Sequence, residues 1–186
     1  MSGHSAYLYG LIIACEAAFW VVLAFALAAR YLLAREGVSR ALLLSLPGID
    51  LLLLIFTALD LKSGTPATFA HGLATAYIGF TVAFGGVLVK WADARFAHRF
   101  AGGPPAAPAP SLGWPAVRYE FSLWLRSIVA WGIALACLSG LVAYVDDAAN
   151  TAELGDWYQM AAGTTLLWLI FGPLWRLVFF KREATR

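Results

Sequence analysis

Two carboxylic acids, Glu16 and Asp50, lie deep inside long apolar runs, where charged side chains are rare and often functional. At about 1.5 Å of helix rise per residue, Glu16 lies about 13 Å below Tyr7, which we place at the outer surface. By the same measure, Asp50 lies about 15 Å below Asp60 at the outer end of its helix. The two carboxyl groups are therefore expected at one level near the middle of a bilayer, and Tyr77 is expected at a similar depth.

Two ionised carboxylates cannot remain unpaired in hydrocarbon, because each loses its hydration and they repel each other. No lysine or arginine is expected at that depth, so the acids must hold protons, share one or bind a cation. One interpretation is a proton- or cation-handling site formed by Glu16, Asp50 and Tyr77. The other is a pair of neutral acids that fixes the helix register. Pro47 and Gly48, one turn before Asp50, either open the helix there or only kink it.

A second polar pair lies at the predicted outer rim. Asp60 ends one apolar run and His71 begins the next, across a short turn that contains Gly64 and Pro66. Such a pair can relay a proton, respond to external pH or contribute to a metal site. Metal binding needs three or four ligands and few others are near, so we predict no metal site. The structural alternative is a hydrogen bond that holds the hairpin together.

Motifs for catalysis are absent from the sequence. It contains neither the HExxH metalloprotease motif, nor the GxSxG nucleophile elbow, nor a phosphate-binding glycine loop. His71 and His98 are expected at opposite ends of the bundle, so they should not ligate a haem between spans. We therefore predict no catalytic residue, no cofactor and no nucleic-acid partner, and an intramembrane enzyme is the least favoured function class.

Five apolar stretches are long enough to hold these residues in a membrane, since a spanning helix needs about 20 apolar residues. Hydrophobic residues make up 61% and charged residues 13% of the chain, against about 45–50% and about 25% in soluble domains. The predicted spans cover residues 7–29, 41–61, 69–89, 127–145 and 157–180. The fold class is therefore an all-α membrane protein, a five-transmembrane-helix bundle whose first partner is the lipid bilayer.

The distribution of basic residues predicts the orientation. Of the 13 lysines and arginines, all except Lys62 fall on one side of the five predicted spans. The positive-inside rule then places the N-terminus outside and the C-terminus in the cytoplasm. Residues 101–115, rich in proline, alanine and glycine, form a cytoplasmic loop. The stretch from Ala116 to Leu125 either lies along the inner interface or extends the fourth helix.

Small residues recur along the third predicted helix at spacings of four and three, which places them on one face. They are Gly72, Ala76, Gly79, Ala83 and Gly86. In lipid such a stripe lets helix backbones approach closely. The third helix is therefore expected to be central in the bundle or to contact another copy or a larger membrane complex.

The segment from Ala67 to Pro105, including His71 and the run Lys90-Trp91-Ala92-Asp93, resembles a family of small multi-pass integral membrane proteins. That family is widespread in actinobacteria and has relatives in bacilli. The similarity extends to Arg30-Tyr31-Leu32-Leu33 and to Asp50. The family has no established activity, so the resemblance implies a bacterial membrane protein and assigns no catalytic residue.

Two functions remain after these steps. The first is a small transporter or channel-like protein, expected to be oligomeric, that moves protons or a small cation past the midplane acids. The second is an accessory or assembly subunit that packs against a larger membrane complex through the small-residue stripe. Transporters that work by alternating access usually contain paired repeats, and this short chain shows none. This weakens the transporter hypothesis, so neither of the two functions is favoured over the other.

Overall fold

The computed structural model describes residues 3–100 and 102–180, which form helices joined by short connections. The helices are α1 (Gly3–Tyr31), α2 (Glu36–Lys62), α3 (Phe69–Phe100), α4 (Gly113–Val145), α5 (Asp156–Leu169) and α6 (Trp175–Val178). A 3₁₀ turn (Ala152–Gly155) precedes α5, and a π-helical turn (Ile170–Leu174) joins α5 to α6. Five segments are long and apolar enough to cross a membrane: Gly10–Tyr31, Glu36–Lys62, Phe69–Arg99, Gly113–Val145 and Ala152–Val178. The protein is thus all-helical with five membrane-compatible helices, as the composition predicts.

The helices are longer than the apolar runs. α4 begins at Gly113, whereas hydropathy placed its start at residue 127, and the irregular connection is correspondingly short. Charged residues such as Arg118 and Glu120 interrupt the apolar run. They do not end the helix, because the backbone is satisfied within it and long side chains can reach the interface. Of the two alternatives for the stretch before residue 126, the structure has the helical extension.

The bundle is built from two helical hairpins. α1 pairs extensively with α2, and α3 pairs extensively with α4. The two hairpins are joined by the interface between α2 and α3, called the seam below, and α5 packs against α4. We call the end that carries the α2–α3 turn the outer end, and the opposite end the inner end, following the orientation that the charges favour.

The outer end is closed by contacts between distant parts of the chain. Lys62 donates from Nζ to the carbonyl oxygens of Tyr144 and Val145, at 3.0 Å each, where the end of α4 leaves carbonyls unpaired. Next to it, Ala67 N donates to Asn150 O at 2.7 Å. The α2–α3 turn is therefore locked onto the end of α4 and the loop that follows it.

The π-helical turn occurs at Pro173, which has no backbone N–H and cannot continue the α-helical ladder. Gly172 is buried there, and a side chain would contact the Trp168 ring. Just beyond, Arg176 pairs with Glu120 of α4, with 3.7 Å between Nη2 and Oε1. The widened turn thus lets the last helical segment pack against the inner part of α4.

Candidate functional site

The buried face of α2 is polar along much of its length. Its buried residues are Ser39, Leu46, Asp50, Leu53, Thr57, Asp60 and Leu61. The steps of three, four and seven between most of them place the side chains on one stripe of the helix. Polar groups in a membrane-spanning helix normally turn to the protein interior. This stripe therefore marks the interior of the bundle, and α2 continues along it without opening at Pro47.

Two contacts define the register of the α2–α3 seam. Near the outer end, His71 Nε2 lies 3.1 Å from Asp60 Oδ2. Ten residues further along each helix, the Thr81 hydroxyl hydrogen-bonds to the Asp50 carboxyl. Because the helices are antiparallel and both contacts are ten residues apart, the seam stays in register over about 15 Å.

Asp60 and His71, called the outer pair below, are almost completely buried. Thr68 N donates to His71 Nδ1 at 3.0 Å. A ring nitrogen that accepts a hydrogen bond carries no proton, so Nε2 holds the ring hydrogen and donates it to Asp60 Oδ2. Thr65 Oγ1 donates to the other carboxyl oxygen at 3.0 Å. The pair is therefore a neutral imidazole bonded to a fully hydrogen-bonded carboxyl group.

The outer pair also has a structural role. Thr68 precedes the first residue of α3, and His71 is the third, so the histidine accepts from Thr68 as a glutamate does in a capping box. The same ring joins the start of α3 to the end of α2. Among the residues that the structure describes, no group of three His, Cys, Asp or Glu side chains could hold a metal ion. The arrangement suits a hydrogen-bonded hairpin and an oriented proton relay.

Asp50 has a different environment. Its side chain is 2% exposed, and within residues 3–100 and 102–180 it forms no ion pair. The Thr81 hydroxyl is its partner, and Oδ2 has no hydrogen-bond partner in the described chain. A charge on this group would be unbalanced in a low dielectric, which costs several kcal/mol. The open oxygen makes Asp50 a candidate for binding a proton.

Tyr77 connects the two midplane acids. It lies within electrostatic range of both Glu16 and Asp50, and its ring stacks on Phe19 of α1 with centroids 6.5 Å apart. Glu16 is half-buried, and no direct hydrogen bond joins the two carboxyl groups in the part of the molecule that is described. Tyr77 on α3 is thus within electrostatic range of one acid on α1 and one acid on α2.

Two buried threonines were not singled out by the sequence analysis. Thr57 and Thr75 are 0% and 1% exposed and lie about 4.5 Å and 6 Å below the outer pair. Thr57 Oγ1 has no partner among the described atoms, whereas Thr75 Oγ1 donates to Gly72 O at 2.7 Å. Helical spacing could have identified both threonines. Thr57 is three residues before Asp60 and Thr75 is four residues after His71, so each shares a helix face with one member of the outer pair.

The outer part of the small-residue stripe is a contact inside this chain. A side chain at Gly72 would overlap the Trp157 ring, and one at Gly79 would overlap the Ala130 carbonyl of α4. Ala76 is buried between them. These three residues therefore let α4 and Trp157 approach the backbone of α3.

The inner part of the stripe is placed differently. Ala83 is half-buried, and its carbonyl accepts a hydrogen bond from Arg126 Nη1 at 3.3 Å. Gly86 is exposed, and no neighbouring described atom lies within 4 Å of where a Cβ would be. The stripe predicts one continuous contact, but the close approach of α3 and α4 does not extend to Gly86.

Comparison with known proteins identifies the family. A protein of Bacillus subtilis (strain 168), described as the uncharacterized membrane protein YmcC, is 34% identical over 160 residues, which cover 86% of this chain and 82% of that protein. The chain belongs to the family of YmcC. This relationship confirms the resemblance to a family of small membrane proteins with relatives in bacilli. The chain is a multi-pass membrane protein. No protein-family model and no solved structure matches it.

Proposed function

We propose that this YmcC-family protein is a small proton-handling protein of the bacterial plasma membrane, and that Asp50 takes up and releases the proton. Its N-terminus lies outside and its C-terminus in the cytoplasm, as the basic residues favour. The observation that supports the proposal most is the environment of Asp50. A carboxyl group that is almost fully buried, without an ion pair and with one open oxygen, is expected to carry a proton.

A proton fits these residues better than a metal cation does. Hard cations take about six to eight oxygen ligands in a well-defined shell. Among the described residues, the side chains recorded to interact with Asp50 or Tyr77 and to offer oxygen are Thr81, Tyr77 itself and the half-buried Glu16. A proton needs a single acceptor and hydrogen-bonding neighbours, which this set provides.

The accessory function loses its main support. It depended on a small-residue stripe that was free to receive a partner helix. Gly72 and Gly79 are instead covered by Trp157 and by the backbone of α4. A partner or a second copy would have to use the inner part of the stripe near Gly86 or another surface, so the proton-handling function is favoured.

The test is proton uptake by the full chain in proteoliposomes, measured with a pH-sensitive dye in the surrounding solution after a small pulse of acid. Asp50→Asn keeps the shape of the neutral acid and its hydrogen bond to Thr81, so it should fold normally and lose proton uptake. Asp146→Asn is the matched control, because Asp146 is exposed and has a left-handed backbone that asparagine also tolerates. Equal proton uptake by the wild-type protein and Asp50→Asn would contradict the proposal.

A further inference from the structure

Polar groups occur at successive levels of the seam between the outer pair and Asp50. Thr57 and Thr75 lie about 5 Å below the outer pair, Tyr77 about 9 Å and Asp50 about 15 Å below it. All of these except Tyr77 are almost fully buried, and Tyr77 is half-buried. Steps of about 5 Å can be crossed by one bridging water or by rotation of a hydroxyl side chain. The outer half of the seam therefore contains a series of groups that can both donate and accept protons.

One apolar layer interrupts this series. Leu53 lies between Thr57 and Asp50 on the buried face of α2, and it clusters with Ile12 and Ala74. Tyr77 packs against this cluster. Its phenol is a hydroxyl at the level of the apolar layer, and it is in electrostatic range of Asp50 below. Of the described residues packed against this layer, Tyr77 carries a hydroxyl, so a proton that crosses the layer along the seam can use it.

The inner half of the seam is different. On the buried face of α2, the next polar residue after Asp50 is Ser39, eleven residues or about 16 Å toward the inner end, with Leu46 between them. On α3, none of the side chains described from residue 81 to residue 99 is buried. The seam thus provides no comparable series of buried polar groups between Asp50 and the inner end.

We infer that Asp50 exchanges its proton with the outer side of the membrane, through the outer pair, Thr57, Thr75 and Tyr77. The inference rests on the proposed proton uptake by Asp50 and adds its direction and route. The protein would then be a half-channel, open to protons from one side.

The entry step can be written with its protons balanced. Thr68 is exposed, and its Oγ1 lies 2.9 Å from His71 Nδ1, so a proton from outside water can pass through this hydroxyl to Nδ1. As the new N–H bond forms at Nδ1, the bond at Nε2 breaks and its proton passes to Asp60 Oδ2. Asp60 becomes a neutral acid, and the ring stays neutral with the other tautomer. Asp60 then passes its proton across one bridging water to the Thr57 hydroxyl, which releases its own O–H proton onward. The reverse sequence restores the first tautomer of the ring when the proton leaves to the outer side.

Among the described residues, few charged groups face this route. At the outer end Lys62 is directed to the carbonyl oxygens at the end of α4. At the inner end of the route the titratable groups are Glu16 on α1 and Tyr77 on α3. The direction of exchange therefore depends on these hydroxyl and carboxyl groups rather than on a nearby fixed cation.

The test is infrared difference spectroscopy on the full chain in vesicles that hold it in one orientation. The C=O stretch of the protonated carboxyl is assigned to Asp50 by its loss in Asp50→Asn. A pH jump on the side of the outer pair should change this band rapidly, and a jump on the other side should not. Tyr77→Phe keeps the ring on Phe19 and should slow the exchange by about tenfold, the effect of losing one hydrogen-bonded step.

Two further variants separate the route from general effects on α2. Thr57→Val should also slow exchange from the outer side, because its buried hydroxyl is removed without a change in shape. Ser45→Ala is the matched control, because Ser45 is exposed on the same helix and donates to Leu42 O at 2.7 Å. It should exchange at the wild-type rate.

The outcomes distinguish the inference from the proposed function. Exchange from the inner side, or equally from both sides, would overturn the half-channel and leave proton uptake by Asp50 intact. Outer-side exchange that is unchanged in both Tyr77→Phe and Thr57→Val would overturn the route. An Asp50 band that responds to neither side would overturn the proposed function itself.

Discussion

The outer and inner halves of α3 differ in how closely they pack. In the outer half, Gly72 and Gly79 have no room for a side chain, because Trp157 and the Ala130 carbonyl lie against them. In the inner half, Gly85 and Gly86 have open space beside them. One helix therefore combines a closely packed segment with a loosely packed one, and the candidate proton route lies beside the closely packed segment.

Polar side chains, rather than close backbone contact, hold the inner end of α3. Arg30 pairs with Asp93, with 3.2 Å between Nη2 and Oδ2, and the Tyr31 hydroxyl donates to the same carboxyl group. The Tyr31 ring also stacks on Phe96, with centroids 4.5 Å apart. The backbone of α3 therefore packs closely beside the buried polar groups of the outer half. In the inner half, partly exposed side chains make the contact and the backbones are further apart.

The largest expected effect concerns which half faces outward. In a chain with Cys15 and Cys137 replaced by alanine, Ser63→Cys at the outer turn should react with a membrane-impermeant thiol reagent in intact cells. Ala107→Cys, in the inner connection, should react only after the cells are opened. Both residues are exposed, so access decides the result. Labelling of Ala107→Cys in intact cells would reverse the assignment of the two halves.

The packing contrast predicts the next largest effect. Gly79→Leu should lower the free energy of unfolding by about 3 kcal/mol, because overpacking forces α3 away from α4. Unfolding in mixed micelles of mild and denaturing detergent measures this change. Gly79→Ala should also destabilise, whereas Gly85→Ala should be nearly neutral. If the two alanine variants lose equal stability, α3 does not pack on α4 through Gly79.

Removal of one member of the outer pair should have a smaller effect. His71→Ala leaves the buried Asp60 without a main partner, which should cost about 2 kcal/mol in the same unfolding experiment. His71→Gln should recover much of the loss, because glutamine is a natural third residue of a capping box. A stability unchanged in His71→Ala would show that the pair does not hold the hairpin.

The smallest effect is expected at the inner end. Asp93→Asn weakens the contact with Arg30, but both side chains are about 30% exposed. Exposed ion pairs contribute less than about 1 kcal/mol, so the loss should stay below that value. It should shrink further at high salt, because screening weakens an exposed pair. A larger loss that salt does not change would mean that the Tyr31 hydrogen bond dominates.

Much of the architecture follows from the sequence because apolar run length alone determines how many helices can cross a bilayer. The closeness of Asp60 and His71 follows from the short turn between two helices. The sequence left open whether the stretch before residue 126 extends α4, since charged residues lower the hydropathy of a helix that continues past the apolar region. Small residues permit close approach but do not show where a neighbouring helix diverges, so Gly86 could not be separated from Gly79. Trp157 over Gly72 depends on a distant segment, which local spacing cannot reveal.

The contact of Lys62 with the end of α4 has a consequence for biosynthesis. Lys62 and Tyr144 are 82 residues apart in the chain, so the ammonium group must be inserted long before its carbonyl acceptors have left the ribosome. Until then the first three helices stay in the bilayer as an incomplete bundle, and the lysine depends on water and headgroups. Completion of the outer end therefore waits for the fourth helix, which supplies the two carbonyl acceptors of Lys62.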